Sequence, residues 1–425
     1  MSDTTKQSPE QSLEPGAIVE QPAAPNPDAE IQPDSNEPSD VDSTLGDDAT
    51  AASTSLASSV YKYHYEHGRR YHAYRQGAYT LPNDELEQAR LDLLHHVFRL
   101  TLDGRLFRAP ILASPQRVLD FGTGTGIWAV DFADEFPMAS VIGTDLSPIQ
   151  PDVVPPNVRF YVDDVESDWV EATTEAERYD FIHGRTMVGS IKDWDRLYQQ
   201  ALRSLNPGGW LEMQEYETHL KSDDDPELTR APYLKRWQDE VNEGSKVFGK
   251  DLDVAKEQRE RMSNAGFVDV RDDIYKVPVG VWPRDPKLKT LGKYQLGQVC
   301  SAIEPFALGF LTRYRGWSED ECRVLVAHVL RELQDFHNHL YVNFHFVYGR
   351  KPGVMLSSPP TAGGIGLGLG LGLGLDIDTD TPTIAEPLRQ SHSLTRSPIH
   401  RTTVTPNEGK APFAAPFGFL RYARK

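Results

Sequence analysis

Residues 116–132 read QRVLDFGTGTGIWAVDF, and this stretch decides the fold. Three glycines, Gly122, Gly124 and Gly126, stand between an apolar run and the start of a second one. A bare turn between a buried strand and a helix lets a ligand approach the backbone closely. The stretch therefore predicts a ligand-binding strand-turn-helix unit of an α/β protein.

Strand-like and helix-like segments alternate on both sides of this turn. The runs that follow the first strand (117–121) predict a helix at 127–136, strands at 139–146, 158–162 and 179–183, a helix at 193–205 and a strand at 210–217. Two later β-rich runs, 266–280 and 340–349, are separated by mostly helical sequence. This order predicts a doubly wound, mostly parallel sheet whose ligands bind at the carboxyl ends of the strands.

Two further helices, one before the glycine loop and one near the end of the domain, carry start signals. Ser318 and Glu321 form a capping-box pattern, and so do Asp84 and Glu87. In the helix that begins at Ser318, the spacing predicts one buried face. That face comprises Val324, Leu325, Val329, Leu333 and Phe336.

The glycine loop favours a cationic ligand over a phosphate. Its spacing is G-x-G-x-G, with Ile127 where a dinucleotide fingerprint has its third glycine, and Asp120 ends the strand two positions before Gly122. A carboxylate 4 Å from a phosphate charge would cost roughly 4 kcal/mol at an effective dielectric of about 20. The ammonium and sulfonium groups of S-adenosylmethionine are positively charged, so their interaction with the Asp120 carboxylate is attractive. The loop thus predicts this methyl donor and disfavours a nicotinamide oxidoreductase.

Acidic residues follow the next two strands. Asp145 ends the second strand, where a carboxylate can accept both ribose hydroxyls of a nucleoside. Asp163 and Asp164 follow the third strand, so that one of them can accept from the adenine amino group while Val165 offers backbone contacts. A helix cap or a solvated acidic turn is the competing interpretation of these residues.

Composition sets the limits of the folded part. Residues 1–59 hold twelve acidic residues and one lysine with no aromatic side chain, and the chain turns to Pro, Thr, Ser and a Gly-Leu alternation from about residue 356. Such segments bury too little apolar surface to offset chain entropy, so 1–59 and 356–425 are predicted to be disordered tails around a domain at 60–355.

The net charge of −19 and the lack of basic clusters longer than a pair argue against direct nucleic-acid binding. The two cysteines show no zinc spacing, the first residues lack the basic and apolar regions typical of a signal peptide, and no run of 18 apolar residues occurs. We expect no metal site, no membrane contact and a location in the cytoplasm, the nucleus or both.

Several blocks, in the same order, resemble the fungal LaeA-like S-adenosylmethionine-dependent methyltransferases. They are EHGRRYHAYRQGAYTLPNDELEQARLDLLH (66–95), LDFGTGTGIWA, GTDLSPIQP, LNPGGWLEMQE and YVNFHFVYGRKP. The resemblance covers about 66–352 and implies the Rossmann-like class I fold, a seven-stranded mostly parallel sheet with helical insertions, in which 340–349 lies antiparallel beside 210–217. It also implies a cofactor site for S-adenosylmethionine at Asp120, Gly122, Gly124, Gly126, Asp145 and Asp164, with Asp163 as the alternate.

Methyl transfer needs positioning more than it needs a base. If a base is used, His183 after the fourth strand is the candidate, and Arg185 could hold an anionic acceptor. The competing interpretation makes His183 a structural, hydrogen-bonded histidine and pairs Arg185 with a carboxylate. The motif of amino-methylating enzymes, Asn-Pro-Pro-aromatic, is absent at this position, so amine and amide acceptors are disfavoured.

Two segments are candidates for covering the site. The Tyr-, His- and Arg-rich block at 61–80 could close over the cofactor or acceptor through Tyr71, His72 or Tyr79, with a packed leading helix as the alternative. The insertion at 284–339 is the predicted acceptor lid.

Two functions follow from these features. The first is a methyltransferase of secondary metabolism, either a regulator or a tailoring enzyme, that acts on a small-molecule or protein acceptor. The second is a largely non-catalytic methyltransferase fold that works through nuclear regulatory partners.

Overall fold

A computed structural model describes residues 18–34, 63–72, 74–75, 77–170 and 174–353. The predicted tails at 1–17, 35–59 and 356–425 lie outside the described residues. No helix in the described part of the chain has the length and apolar character needed to cross a bilayer.

The centre of the structure is a seven-stranded sheet in the order β5-β4-β3-β6-β7-β9-β8. Its strands are β3 (Arg117–Phe121), β4 (Ser140–Asp145), β5 (Val158–Val162), β6 (Tyr179–Arg185), β7 (Leu205–Tyr216), β8 (Val268–Pro278) and β9 (Tyr341–Arg350). Strands β3 to β7 pair in parallel, whereas β9 pairs antiparallel with both β7 and β8. The predicted class I sheet, including the antiparallel placement of 340–349, is confirmed.

Helices cover both faces of the sheet, and a small hairpin precedes the first of them. The hairpin is β1 (His64–Glu66) with β2 (Arg69–Tyr71). The helices are α1 (Glu85–Thr101), α2 (Ile127–Glu135), α3 (Trp194–Ser204), α4 (Pro232–Phe248), α5 (Gln258–Asn264), α6 (Pro286–Phe306) and α7 (Glu319–Gln334). A π-helical segment, Ala307–Arg315, joins α6 to α7.

The caps agree with the sequence in part. Ser318 and Glu321 form the complete capping box at α7. At α1 only half of the predicted box is present: the Asp84 side chain accepts from the Glu87 amide. The Glu87 carboxylate instead makes a buried bidentate ion pair with Arg90. An arginine one turn along the helix competes successfully for that carboxylate.

The predicted buried face of α7 is wrong at two positions. Leu325, Val329 and Leu333 are buried, but Val324 is 62% exposed, and Phe336 lies beyond the end of α7 and is half-buried. Positions 325, 329 and 333 are spaced four residues apart and share one stripe, whereas residue 324 lies about 100° around the helix from residue 325.

Residues 18–34 differ from the predicted disorder of 1–59, because they lie against the domain as an extended segment. The Arg108 side chain is buried, pairs with Asp273 on β8 and donates to the Pro22 carbonyl at 2.7 Å. Farther along, the Asp34 amide donates to the Trp282 carbonyl at 2.7 Å. Composition does not reveal this attachment, because main-chain hydrogen bonds form whatever the side chains are.

Candidate functional site

The glycine loop forms one wall of a cleft at the carboxyl ends of the parallel strands. The cleft contains about 840 Å³ free of protein atoms, counting the part open to solvent. The predicted residues that line it are Gly122, Gly124, Asp145, Asp163, Asp164, Val165 and Arg185. The topology thus brings together side chains from four strands at one edge of the sheet, as the fold requires.

The glycines are required by conformation and by space. Gly122 and Gly126 have φ values of +63° and +80°. A Cβ atom on Gly126 would lie 2.5 Å from the Phe160 ring, and one on Gly122 would lie 2.2 Å from the sulfur of Met187. Gly126 serves as the N-cap of α2 and does not line the cleft, so its role is to turn the chain. Any side chain at these two positions would be strained.

Asp145 ties the loop to the second strand. One of its oxygens accepts from the Gly124 amide at 2.9 Å, and the other accepts from the Ser147 amide at 2.8 Å. Burial raises the pKa of this carboxyl group, and the two amide hydrogen bonds oppose the rise. The competing interpretation of a turn residue is therefore correct as well, since Asp145 organises a turn while it faces the cleft.

The two acids after β5 form a turn on the opposite wall. The Asp163 side chain accepts from the Asp164 amide, and that of Asp164 accepts from the Glu166 amide. Asp164 also faces the Arg75 guanidinium at 3.5 Å. Both acids line the cleft, so either carboxylate could accept a hydrogen bond from the amino group of an adenine base.

Asp120 is less free than the sequence predicts. Its carboxylate accepts from His183 Nδ1 at 2.7 Å and from Thr123 Oγ1 at 2.5 Å. The residue is 2% exposed, although it touches a deep extension of the cleft beside Gly122 and Arg185. Its main contacts therefore fix the glycine loop to β6. Its negative charge affects ligands in the cleft by long-range electrostatic attraction or repulsion and not by direct contact.

The structure favours the structural interpretation of His183 over its prediction as a general base. His183 is fully buried, does not line the cleft and stacks on Trp128 with ring centroids 3.7 Å apart. Burial lowers the pKa of the imidazole, and Asp120 opposes that shift. A base must reach the proton that it removes, and this ring has no surface exposed to the cleft. Its contacts are those of a hydrogen-bonded core histidine.

Arg185 lies in the wall of the cleft, but its head group turns toward α1. It donates to His95 Nδ1 at 3.1 Å and lies 5.0 Å over the Phe98 ring. Burial lowers the pKa of Arg185 to about 10, and the carboxylates of Asp120 and Asp131 oppose this effect. Arg185 lines the cleft and makes no ion pair with a carboxylate among those recorded for the described residues, so no direct contact neutralises its positive charge.

Of the three residues proposed to close the site from the block at 61–80, one reaches it. Tyr79 lines the cleft. Tyr71 is buried under the Arg313 guanidinium, and the His72 ring contacts the carbonyls of Tyr74 and Tyr79. Tyr71 and His72 therefore shape the segment that carries Tyr79. The alternative of a packed leading helix is wrong, because the described residues of this block form the β1–β2 hairpin and turns.

Sequence reasoning missed Lys250, which joins three walls of the cleft. Its ammonium group donates to the carbonyls of Ala78 and Ser190 at 2.8 and 2.6 Å and pairs with Glu166 at 2.8 Å. No motif surrounds this lysine in the sequence. Only folding brings the linker after α4 to the ends of β5 and β6.

Glu215, near the end of β7, supports the cleft from below. It is fully buried and accepts from the amides of Met187 and Val188 at 2.8 and 3.3 Å. Burial raises the pKa of its carboxyl group to about 8, which the two amides partly oppose. Because the Met187 sulfur covers Gly122, Glu215 holds in place the side chain that defines the floor of the glycine loop.

Replacing Glu215 by glutamine should make the protein less sensitive to alkaline pH. This carboxyl group binds its proton more tightly in the folded protein than in the unfolded chain. The resulting stabilisation is complete below the pKa of the unfolded chain and is lost as the pH rises through the pKa of the folded protein. Between pH 6 and 8 the variant should therefore gain about 1.4 kcal/mol of unfolding free energy over the wild type for each pH unit. Urea unfolding at pH 6, 7 and 8 measures this difference.

The exposed Glu85 provides the matched control, since it has the same carboxyl group in solvent. Glu85→Gln should leave the pH dependence unchanged. Parallel pH profiles for Glu215→Gln and the wild type would contradict the raised pKa.

Among the described residues, no three His, Cys, Asp or Glu side chains come together as a candidate metal site.

The comparisons with known proteins agree with this geometry. A family model described as a methyltransferase domain matches residues 93–271. The chain is 42% identical to methyltransferase pytC of Aspergillus terreus over 306 residues, which cover 72% of this chain and 93% of that protein. It is 37% identical to the secondary metabolism regulator LAE1 of Cochliobolus heterostrophus over 296 residues, covering 68% and 94%. It is also 35% identical to the probable methyltransferase tdiE of Emericella nidulans over 300 residues, covering 70% and 92%.

A sheet of class I order, a glycine loop at its ligand-binding edge and full-length relatives at these identities lead to one assignment. The chain belongs to the family of fungal LaeA-like class I methyltransferases.

Proposed function

We propose that the protein transfers a methyl group from S-adenosylmethionine to a small molecule of fungal secondary metabolism. The single observation that carries the proposal is the cleft itself, in which a glycine loop, Asp145 and a second acidic pair converge at one edge of the sheet. When bound, the donor supplies a methyl group to a nucleophile of the acceptor; the carbon–sulfur bond breaks, its electron pair stays on sulfur, and the acceptor loses its proton to solvent. The residues of this chain position the two reactants.

The residues present fit that donor. Asp145 faces the cleft with acceptor lone pairs for ribose hydroxyls, and Asp163 or Asp164 can accept from the adenine amino group. Gly122 and Gly124 leave the backbone open to the methionine part. In the deep extension, Arg185 can face the carboxylate of the donor while the Asp120 charge favours its ammonium group.

No side chain of the cleft is required as a base. Tyr79 and Glu87 line the wall opposite the glycine loop, and Glu87 is held by Arg90. Burial raises the pKa of the Tyr79 hydroxyl, so it stays protonated and can donate a hydrogen bond. Positioning within about 3 to 3.5 Å of the methyl carbon is enough for an in-line displacement.

Calorimetric titration tests the donor. The purified protein should bind S-adenosylmethionine and S-adenosylhomocysteine and should not bind NADH, because Asp120 and the G-x-G-x-G spacing oppose a diphosphate. Binding of NADH without affinity for S-adenosylhomocysteine would instead favour an oxidoreductase.

A regulatory role through nuclear partners is the second candidate, and the relative named as a secondary metabolism regulator favours it. Metabolite profiles of a gene deletion and of a strain carrying Asp145→Ala separate the two. Loss of one methylated compound in both strains supports a tailoring enzyme. Collapse of many unrelated compounds in the deletion alone supports an interaction protein that works without the donor.

A further inference from the structure

A second cavity lies beside the donor cleft, beneath the helical insertion. It is enclosed by α4, α6, the end of β7 and the start of β9, and it contains about 530 Å³ free of protein atoms, counting its opening to solvent. Its walls are mostly apolar, with Trp237 and Val241 on α4 and Ala302 and Ile303 on α6. Mostly apolar concave sites with a few polar groups are the usual form of small-molecule sites.

One buried amide in this cavity has no partner for its oxygen. Gln295 on α6 is 2% exposed, and its Oε1 atom makes no hydrogen bond within the described residues. An unpaired buried acceptor costs free energy, which a donor on a bound molecule would recover. Gln295 therefore indicates a ligand that donates a hydrogen bond.

The cavity offers no free charge to a ligand. Glu217 is the charged residue in its lining, and this carboxylate already has partners from three sides. It accepts from Asn343 at 3.0 Å, contacts His345 Nε2 at 3.4 Å and pairs with Lys221. A ligand that carried a charge would lose its hydration without finding a counter-charge, so the site suits neutral molecules.

The cavity lies next to the donor cleft. Tyr216 and Leu252 line the cavity, whereas Lys250 and Met187 line the cleft. Leu252 packs on Gly189, where an added Cβ atom would lie 2.6 Å from its side chain, and Gly189 is two residues from Met187. The two linings have no residue in common, but they approach each other at Leu252 and the turn at Gly189.

We propose that this cavity is the acceptor pocket and that it takes a neutral, largely apolar small molecule that donates a hydrogen bond to Gln295. This inference rests on the proposed methyl transfer. It also gives the insertion at 284–339 its role, since α6 supplies both the apolar wall and the amide.

Binding of two small aromatic probes tests the pocket directly. Indole is neutral, apolar and carries one N–H donor, and benzofuran has nearly the same shape without the donor. Saturation-transfer NMR titrations of the full chain should show indole binding at least fivefold more tightly than benzofuran. Gln295→Leu should abolish that preference.

A bulky side chain should close the pocket. Ala302→Trp should weaken binding of both probes at least tenfold, whereas Ser301→Trp, one residue away on the exposed side of α6, should change it less than twofold. Titration of S-adenosylmethionine against the same variants should give the wild-type affinity. If Ala302→Trp and the wild type bind the probes equally well, or if the wild type does not bind them, the proposal that this cavity binds a small apolar molecule is contradicted.

A transfer assay links the pocket to catalysis. The purified protein is incubated with S-adenosylmethionine that carries a trideuterated methyl group. An apolar extract of the host fungus, from a strain in which this gene has been deleted, supplies the acceptor. The wild type should form a labelled compound, indole should inhibit its formation, and Ala302→Trp should lower the yield at least tenfold.

Labelled product that is unaffected by indole and by Ala302→Trp would overturn the inference while the proposed methyl transfer stands. No labelled apolar compound from a protein that binds the donor would overturn the acceptor class. A protein that binds neither the donor nor S-adenosylhomocysteine would contradict the proposed function itself.

Discussion

Replacing His183 by alanine is expected to lower the free energy of unfolding by about 3–5 kcal/mol, because a hydrogen bond to a charged group contributes about 1.5–3 kcal/mol and the cavity left by the buried ring adds to that loss. His183 is fully buried, Asp120 is 2% exposed, and their contact of 2.7 Å lies under the Trp128 ring. The substitution would leave the Asp120 carboxylate with Thr123 as its remaining side-chain partner and would also open a cavity against Trp128. Urea unfolding followed by tryptophan fluorescence measures the loss.

The surface of the same protein offers a matched control. His337 and Asp335 form the same type of pair at 3.1 Å, but both side chains are more than half exposed. His337→Ala should therefore cost less than about 1 kcal/mol, because solvent screens exposed pairs.

A double-mutant cycle isolates the buried pair. Asp120→Asn combined with His183→Ala should cost less than the sum of the two single substitutions, because the double variant no longer contains the buried carboxylate that His183→Ala alone leaves without its partner. If His183→Ala instead keeps the wild-type stability and donor affinity but loses methyl transfer, the imidazole acts on the substrate and the structural interpretation fails.

Asp145→Ala is expected to weaken binding of S-adenosylmethionine by about 10- to 150-fold. Hydrogen bonds to a charged group contribute about 1.5–3 kcal/mol, and each 1.4 kcal/mol is tenfold in affinity. The carboxylate also holds the Gly124 and Ser147 amides, so the substitution loosens the loop as well as removing the ribose contact. Calorimetry with the donor and with S-adenosylhomocysteine measures the effect.

Two further variants sharpen this result. Asp145→Asn keeps one acceptor oxygen and should weaken binding less than the alanine variant. Asp152→Ala removes an exposed carboxylate from the loop after β4 and should leave the affinity unchanged. Unaltered donor binding by Asp145→Ala would place the nucleoside elsewhere and would contradict the proposed orientation.

Local sequence was enough for the first four strands of the sheet and for the glycine turn, but β7 begins at Leu205, five residues before the predicted start at residue 210. The predicted boundaries of β3, β4, β5 and β6 lie within two residues of the observed ones, because buried parallel strands are short apolar runs ended by turn residues. The antiparallel position of β9 came from the family resemblance and not from the run at 340–349 itself. A β-rich run carries no information about the direction of its neighbour.

The site residues that directly follow a predicted strand could be predicted from the sequence. The residues that reach the site from distant parts of the chain could not. The glycine loop and the acids after β4 and β5 follow directly on their strands, so topology alone brings them to one edge. Lys250 and Gln295 carry no such signal, since a lysine in a linker and a glutamine on a helix face are common surface features.

The sequence by itself determined the doubly wound, mostly parallel sheet, the bare loop at its ligand-binding edge and the acidic residues around it, because each depends on residue type within a few positions of a strand end. Only the tertiary structure decided what each side chain touches. It buried His183 under Trp128, gave both oxygens of Asp120 a hydrogen-bond partner, attached residues 18–34 through main-chain hydrogen bonds and enclosed Gln295 with no partner for its Oε1 atom among the described residues. The physical reason is that burial and pairing are properties of packed elements far apart in the chain, and a one-dimensional pattern does not contain those distances.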